Sequence, residues 1–172
     1  DQLVGCSPKQ ARAAVVNLAG LHGPRWCDPS LKDPPWLRYV TQVDADYFQE
    51  ALAESTQGFI QYYAERLSER EIEILLAFAL KCGSWLMARR EQFTLVHGDY
   101  RLDNLLFDNQ NGGVSVTTVD WQTLEVGNPG RDLAYFLGNS LLPGQRRSHE
   151  QTLVRAYHEA LLSYGVEDYS FE

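Results

Sequence analysis

The sequence predicts an α+β fold that is mostly helical, with one small β-hairpin between the helices. Two observations carry this. Apolar residues recur at helical spacing, behind recognisable caps, on both sides of a central region. Within that region, the runs 104–108 and 114–119 read as strands flanking Asn109-Gln110-Asn111-Gly112-Gly113, a strong turn signal. At 172 residues the chain suits one domain with a sizeable core.

Taken in order, the chain opens on Asp1-Gln2-Leu3-Val4 without an initiator methionine, so it is expected to continue upstream in a parent protein. Ser7-Pro8-Lys9-Gln10 then starts a helix: Ser7 caps, Pro8 fits the first helical position and Gln10 closes a capping box. Ala11, Ala14, Val15, Leu18 and Leu21 give its apolar face, and Gly23-Pro24 ends it. Residues 23–43 hold Pro24, Pro29, Pro34 and Pro35, which exclude a long helix. Trp26 and Trp36 are expected to pin this loop to the core. A helical pattern over 45–67 carries Tyr47, Phe48, Leu52, Phe59, Tyr62 and Tyr63, read as core rather than ligand contacts. Ser68-Glu69-Arg70-Glu71 is a capping box for a further helix toward Arg90, with Gly83 marking close packing. Phe93 to Val96 reads as a short strand. Helices resume at about 130–140 and 148–164, the second opened by a Ser148/Gln151 box. The sequence shows no repeat and no low-complexity tract.

Bulk properties exclude several classes. With 23 acidic and 15 basic residues, the net charge of −8 disfavours a nucleic-acid binder. Cys6, Cys27 and Cys82 are odd in number and widely spaced, which argues against a zinc site or a disulfide framework and for a reducing compartment. The longest apolar run, Ile74 to Leu80, is too short to span a bilayer. No leader pattern opens the chain, so no membrane partner and a cytoplasmic location are expected.

The chemistry concentrates near the hairpin. Asn104 and Asp120 are equidistant from Gly112, so a hairpin centred there would set them opposite each other, with Asp99 in the loop entering the first strand. Hard oxygen donors of this kind suit magnesium, which takes few protein ligands. Phosphoryl transfer needs such an ion to offset charge, and a carboxylate to orient the attacking hydroxyl and accept its proton. Asp99 is placed for the second task, Asn104 and Asp120 for the first.

The segment His97-Gly98-Asp99-Tyr100-Arg101-Leu102-Asp103-Asn104 resembles the HGDxxxxN loop of the aminoglycoside phosphotransferase and choline kinase superfamily. That loop is similar to the HRDxxxxN catalytic loop of protein kinases. Val119-Asp120-Trp121 looks like the family's metal-binding segment. Gly130-Arg131-Asp132-Leu133-Ala134-Tyr135 looks like its following motif, and Leu18-Ala19-Gly20-Leu21-His22 resembles the helix after the hinge. The wording is nearest to the phosphotransferase enzyme family, which includes kinase-like domains fused to acyl-CoA dehydrogenases.

The resemblance implies that residues 1–172 form a single protein-kinase-like C-terminal lobe. Its catalytic core would be 95–135, and 24–66 a candidate substrate-side insertion. It implies transfer of the γ-phosphoryl group of ATP or GTP, with Mg2+, to an alcohol hydroxyl on a small molecule. Asp99 would be catalytic and Asn104 and Asp120 metal ligands. His97 and Asp132 would support the site, and Arg101 is a candidate for a phosphate or a loop contact. Asp103 reads as a loop or capping residue. The family's N-terminal nucleotide lobe is not matched: Lys9, Lys32 and Lys81 lie outside any glycine-rich strand-loop-strand. That lobe is therefore an expected partner from the same parent. Gln122 stands where relatives often carry a second carboxylate.

Two other readings stay open. One is a non-catalytic kinase-like binding module. The other is a metal-dependent phosphate-ester hydrolase using His97, Asp99 and Asp120. Candidate acceptor-side aromatics are Trp26, Trp36, Tyr39, Tyr47 and Tyr157, each also readable as packing. His22 reads as a helix-end residue packed on the Trp-rich loop.

Overall fold

The structure is a computed structural model that describes residues 2–108 and 113–171. It is α+β and mostly helical, with two small sheets. Among the described residues no helix is long and apolar enough to cross a membrane. The chain divides into two compact units, one running up to Tyr39 and resuming at Glu91, the other spanning Val40–Arg90.

The first unit opens with α1 (Pro8–His22), started by the expected capping box: Ser7 Oγ accepts from the Gln10 amide, and Gln10 Oε1 accepts from the Ser7 amide. Its apolar stripe buries Ala11, Ala14, Val15, Leu18 and Ala19. The core around that stripe takes Phe136 and Leu137 from α5 (Gly130–Ser140) and Leu153, Ala156 and Leu161 from α6 (Pro143–Ser163). Tyr100, Leu102 and Leu105 join the same cluster, so the loop from His97 to Asn104 is seated directly on the core.

Helix α6 starts earlier than the expected 148. Pro143 presets the first turn, Arg146 N–H already donates to Leu142, and Ser148 Oγ bonds back to the Gly144 carbonyl at 3.0 Å instead of capping. The proline-rich segment holds two single 3₁₀ turns, Gly23–Arg25 and Pro29–Lys32. Trp26 is partly buried against Tyr169, whereas Trp36 is 75% exposed and pins nothing.

A three-stranded sheet has the order β1 (Arg38–Tyr39), β5 (Glu125–Gly127), β2 (Thr94–Val96). The central β5 runs parallel to β1 and antiparallel to β2, pairing Val126 with both Tyr39 and Leu95. Strands of two or three residues are too short to show a period of two, so β1 and β5 leave no signal in the sequence.

The second sheet is the hairpin of β3 (Leu105–Asp108) and β4 (Ser115–Thr118). Of the expected turn residues, 109–112 lie outside the described residues. The register corrects the sequence reading. Leu105 pairs with Thr118 and Asp108 with Ser115, so the centre falls between positions 111 and 112 rather than on Gly112. Asn104 therefore stands against Val119, whose N–H donates to the Asn104 carbonyl at 3.0 Å, and not against Asp120. A shift of one residue moves a side chain to the opposite strand face. Asn104 itself ends a 3₁₀ turn, Leu102–Asn104, rather than opening the strand.

The second unit consists of α2 (Gln42–Tyr62), α3 (Glu69–Ala79) and α4 (Cys82–Leu86). Ser68 and Glu71 form the expected box. The helix does not continue to Arg90: it breaks at Leu80-Lys81 and restarts as α4. Gly83 permits close packing, since a Cβ there would sit 3.0 Å from the Ala45 carbonyl. The aromatic stripe is not core. The buried residues of α2 are Ala45 and Thr56, while Tyr47, Phe48, Phe59 and Tyr62 are exposed. Helical spacing defines a face, but not what covers it.

Candidate active site

The catalytic-loop candidate begins where β2 ends. Asp132, in the first turn of α5, is 1% exposed and receives the loop's backbone: His97 N–H donates to its Oδ2 at 2.6 Å and Gly98 N–H to its Oδ1 at 2.9 Å. His22 adds a third contact, Nε2 to Oδ2 at 3.3 Å. Burial works to raise the Asp132 carboxyl, but the hydrogen bond and charge of His22 and the two amides outweigh it. The carboxyl is held below the usual aspartate range, so at neutral pH it is an anion that accepts every one of these bonds.

Gly98 makes the turn between the braced amides and Asp99. Its φ is +81°, and a Cβ would lie 2.7 Å from the Thr123 carbonyl oxygen. Thr123 Oγ1 also donates to the His97 carbonyl at 2.7 Å, tying the loop to the segment after Asp120.

His97 is fully buried and both ring nitrogens are engaged by backbone. Nδ1 accepts from Asp99 N–H at 3.3 Å, which leaves Nε2–H to donate to the Val119 carbonyl at 3.0 Å. Its ring packs 5.0 Å from that of Trp121. Both ring nitrogens thus have partners within the protein. His97 instead links the residue preceding Asp120 to the residue following Gly98.

Asp99 and Asn104 are brought together. Asn104 Nδ2 donates to both the carboxylate Oδ2 and the carbonyl of Asp99, each at 2.9 Å. Both bonds use the amide nitrogen, which leaves Asn104 Oδ1 as the atom able to ligate a cation. Arg101 Nε donates to Asp99 Oδ2 at 3.2 Å; its guanidinium also reaches Gln2 Oε1 and the Asp103 carboxylate. In this structure Arg101 therefore makes the loop contact. Tyr135 on α5 also meets Asp99: burial first, then the hydrogen bond to and charge of that carboxylate, push its phenol up.

Asp120 is exposed and follows β4 with φ 63° and ψ 67°, a left-handed backbone that ends the strand's alternation. Gln122 Nε2 approaches its Oδ2 at 3.4 Å. The oxygen donors of Asn104 and Asp120 suit magnesium, which binds through one or two carboxylates and keeps several waters. Among the described residues no group of three or more His, Cys, Asp or Glu is placed to hold a metal ion.

Three contacts were missed by the sequence reading. His22 is 0% exposed and bonds Asp132 and, through Nδ1 at 2.6 Å, the Tyr157 hydroxyl, rather than packing on the tryptophan loop. Tyr157 is 3% exposed, hence a core residue and not an acceptor-side aromatic. Tyr135 carried no signal beyond its place in the Asp132 motif.

Comparison with known proteins fits this geometry. The model of the ecdysteroid kinase-like family matches residues 34–165, well over half of the chain. Acyl-CoA dehydrogenase family member 10 of Mus musculus is 43% identical over 54 residues, which cover 30% of this chain and 5% of that protein. Acyl-CoA dehydrogenase family member 11 of Homo sapiens is 38% identical over 58 residues, 31% of this chain and 7% of that protein. The corresponding protein of Pongo abelii gives the same figures. The matched stretch is thus a small fraction of these curated relatives.

Proposed function

This chain belongs to the ecdysteroid kinase-like family, a family of kinase-like small-molecule phosphotransferases, and from that premise we propose that it is the catalytic lobe of an enzyme that moves the γ-phosphoryl group of ATP or GTP to an alcohol hydroxyl. The observation that carries this reading is the Asp99–Asn104 pair, held on a loop whose backbone is clamped by buried Asp132.

Asp99 receives the acceptor hydroxyl. Its carboxylate orients the O–H and takes the proton as the oxygen bonds to the γ-phosphorus and the bond to the departing nucleoside diphosphate breaks. Asn104 Nδ2 and Arg101 Nε fix the carboxylate by donating to its Oδ2, which leaves Oδ1 toward the acceptor. Tyr135, whose phenol meets the same carboxylate, borders the acceptor position. Asn104 Oδ1 and the Asp120 carboxylate would hold Mg2+, which when bound supplies positive charge beside the nucleotide phosphates. The nucleotide-covering lobe, for which this sequence has no glycine-rich strand-loop-strand, comes from the parent polypeptide. The acceptor is a small molecule, approached from the exposed side of Asp99.

The test is nucleotide consumption by the parent protein against a panel of hydroxylated small molecules, with Asp99→Ala in parallel. Asp99→Ala should lower turnover by about two or more orders of magnitude, the usual worth of a positioned base. Turnover near the parental rate removes Asp99 from this role.

A further inference from the structure

Helix α1 turns one polar side chain toward the hairpin, and the phosphotransfer scheme leaves it unused. Asn17 is partly buried, beside the fully buried Val15 and Leu18. Its side chain meets two segments far from it in the chain. Nδ2 donates to the Val116 carbonyl of β4 at 3.1 Å, and Oδ1 accepts from Thr118 Oγ1 of the same strand at 2.8 Å. The Tyr100 hydroxyl, on the residue that follows Asp99, lies 3.0 Å from the same Oδ1.

Chemistry fixes which way this amide faces. A carbonyl can only accept, so the Val116 oxygen selects the nitrogen, and the two hydroxyls, each with a hydrogen to give, select Oδ1. Burial pushes the Tyr100 phenol far above its ordinary range, so the hydroxyl keeps its hydrogen. It shares that hydrogen between Asn17 Oδ1 and the Ala14 carbonyl, 2.8 Å away on α1. Turned over, the amide would set oxygen against oxygen at Val116.

The strand held in this way leads to Asp120. Just before that residue, Val119 N–H donates to the Asn104 carbonyl and the Val119 carbonyl accepts from His97 Nε2. Both contacts lie at one end of the hairpin, where β3 also leaves the loop, and attachment at one end leaves a hairpin able to swing. Phe107 and Val116 pack on the core, but apolar contact is non-directional. A directional bond farther along removes the swing, and Val116 stands about 10 Å from Val119 along an extended strand. We infer that Asn17 is a positioning residue: by joining β4 and Tyr100 to one face of α1, it sets the separation of Asp99 and Asp120. Its consequence for catalysis rests on the phosphotransfer reading, in which Asp99 takes the acceptor and Asp120 helps to hold Mg2+.

The first measurement uses the 172-residue chain labelled for NMR, without nucleotide, so it does not depend on whether phosphoryl transfer occurs. Residual dipolar couplings of the β3 and β4 amides, referred to α1 and α6, report the direction of the hairpin. Asn17→Leu, similar in shape but unable to bond, should turn the hairpin against those helices and speed amide exchange at Val119 by about tenfold or more. Asn17→Asp, which keeps the acceptor for both hydroxyls and loses the donor to Val116, should shift it less. Unchanged couplings and exchange in folded Asn17→Leu overturn the inference. If Asn17→Leu does not fold, Thr118→Val and Tyr100→Phe decide: each removes one hydroxyl, and a hairpin unaltered in both overturns it equally. The second measurement is nucleotide consumption by the parent protein. Asn17→Leu should lower kcat by about tenfold or more, from misplaced reacting groups, and raise the Mg2+ concentration needed for half-maximal rate. A loss of stability alone would reduce the active fraction and leave the Mg2+ requirement where it was, and that result overturns the positioning role. Absence of turnover in the unsubstituted parent sinks the phosphotransfer reading, and the dipolar couplings then judge Asn17 without it.

Discussion

Asn104 turns its side-chain amide onto Asp99, giving one hydrogen to the carboxylate and one to the backbone carbonyl, each over 2.9 Å. The pair spans the 3₁₀ turn Leu102–Asn104, so this short turn sets where the carboxylate stands relative to the hairpin.

Asn104→Asp replaces two donors with a carboxylate beside a carboxylate. Repulsion should push Asp99 off its position while the buried surroundings of Leu102 and Leu105 keep the fold. Turnover of the parent protein should fall by about 100-fold, the cost of displacing a reacting group by an ångström. Steady-state nucleotide consumption measures it, with circular dichroism confirming the fold.

Asp132 gives an acid-sensitive contribution to stability. Its folded carboxyl lies below the ordinary value of 3.8, so the contribution is fully present above that value. It is lost as pH falls below 3.8 and through the folded pKa, because the unfolded chain then binds a proton first. Urea titrations should show stability declining in that window for the parent chain, with a shallower decline for Asp132→Asn. The variant should also lose about 2–3 kcal/mol at neutral pH, from weakened charge-assisted bonds to His97 and Gly98. Equal acid slopes would rule out this linkage.

Two of the nine tyrosines, Tyr100 and Tyr157, are buried and have phenols pushed above the normal range by desolvation first. A raised folded pKa stabilises the protein fully below the unfolded tyrosine value, and the benefit is lost as pH climbs toward the folded one. Alkaline difference spectroscopy run in parallel with circular dichroism checks this. Tyr100 and Tyr157 should ionise only in step with loss of helical circular dichroism. Ionisation of every tyrosine in the folded chain would contradict the burial.

Gly98→Ala should destabilise the chain by about 2 kcal/mol or more, because a left-handed φ and a contact 2.7 Å from the Thr123 carbonyl coincide. Gly113→Ala is the control: nothing lies within 4 Å of the added methyl. Chemical denaturation of the two variants side by side should give a large shift for the first and a small one for the second.

Much of this protein was written locally. The boxes at Ser7 and Ser68, the helix at Gly130–Ser140 and the existence of the hairpin all rest on residues within a few positions of one another, where capping and periodicity act. The spacing of Asp99 and Asn104 and the sequence around Asp120 and Asp132 were equally plain. The hairpin register was not, because a pairing centre falls on a residue or between two according to turn geometry, and one position decides which side chain faces which. Nor was the exposure of Tyr47, Phe59 and Tyr62, since periodicity marks a face without naming its cover.

The sequence by itself determined where the main helical segments lie, the capping boxes at Ser7 and Ser68 and the candidate groups for phosphoryl transfer. Only the tertiary structure decided that His22, Asp132 and Tyr157 meet, that Asn104 stands against Val119, and that both nitrogens of His97 are spent on backbone. The reason is sequence separation: His22 and Asp132 are 110 positions apart, and no local rule links them until α1, α5 and α6 close on one core.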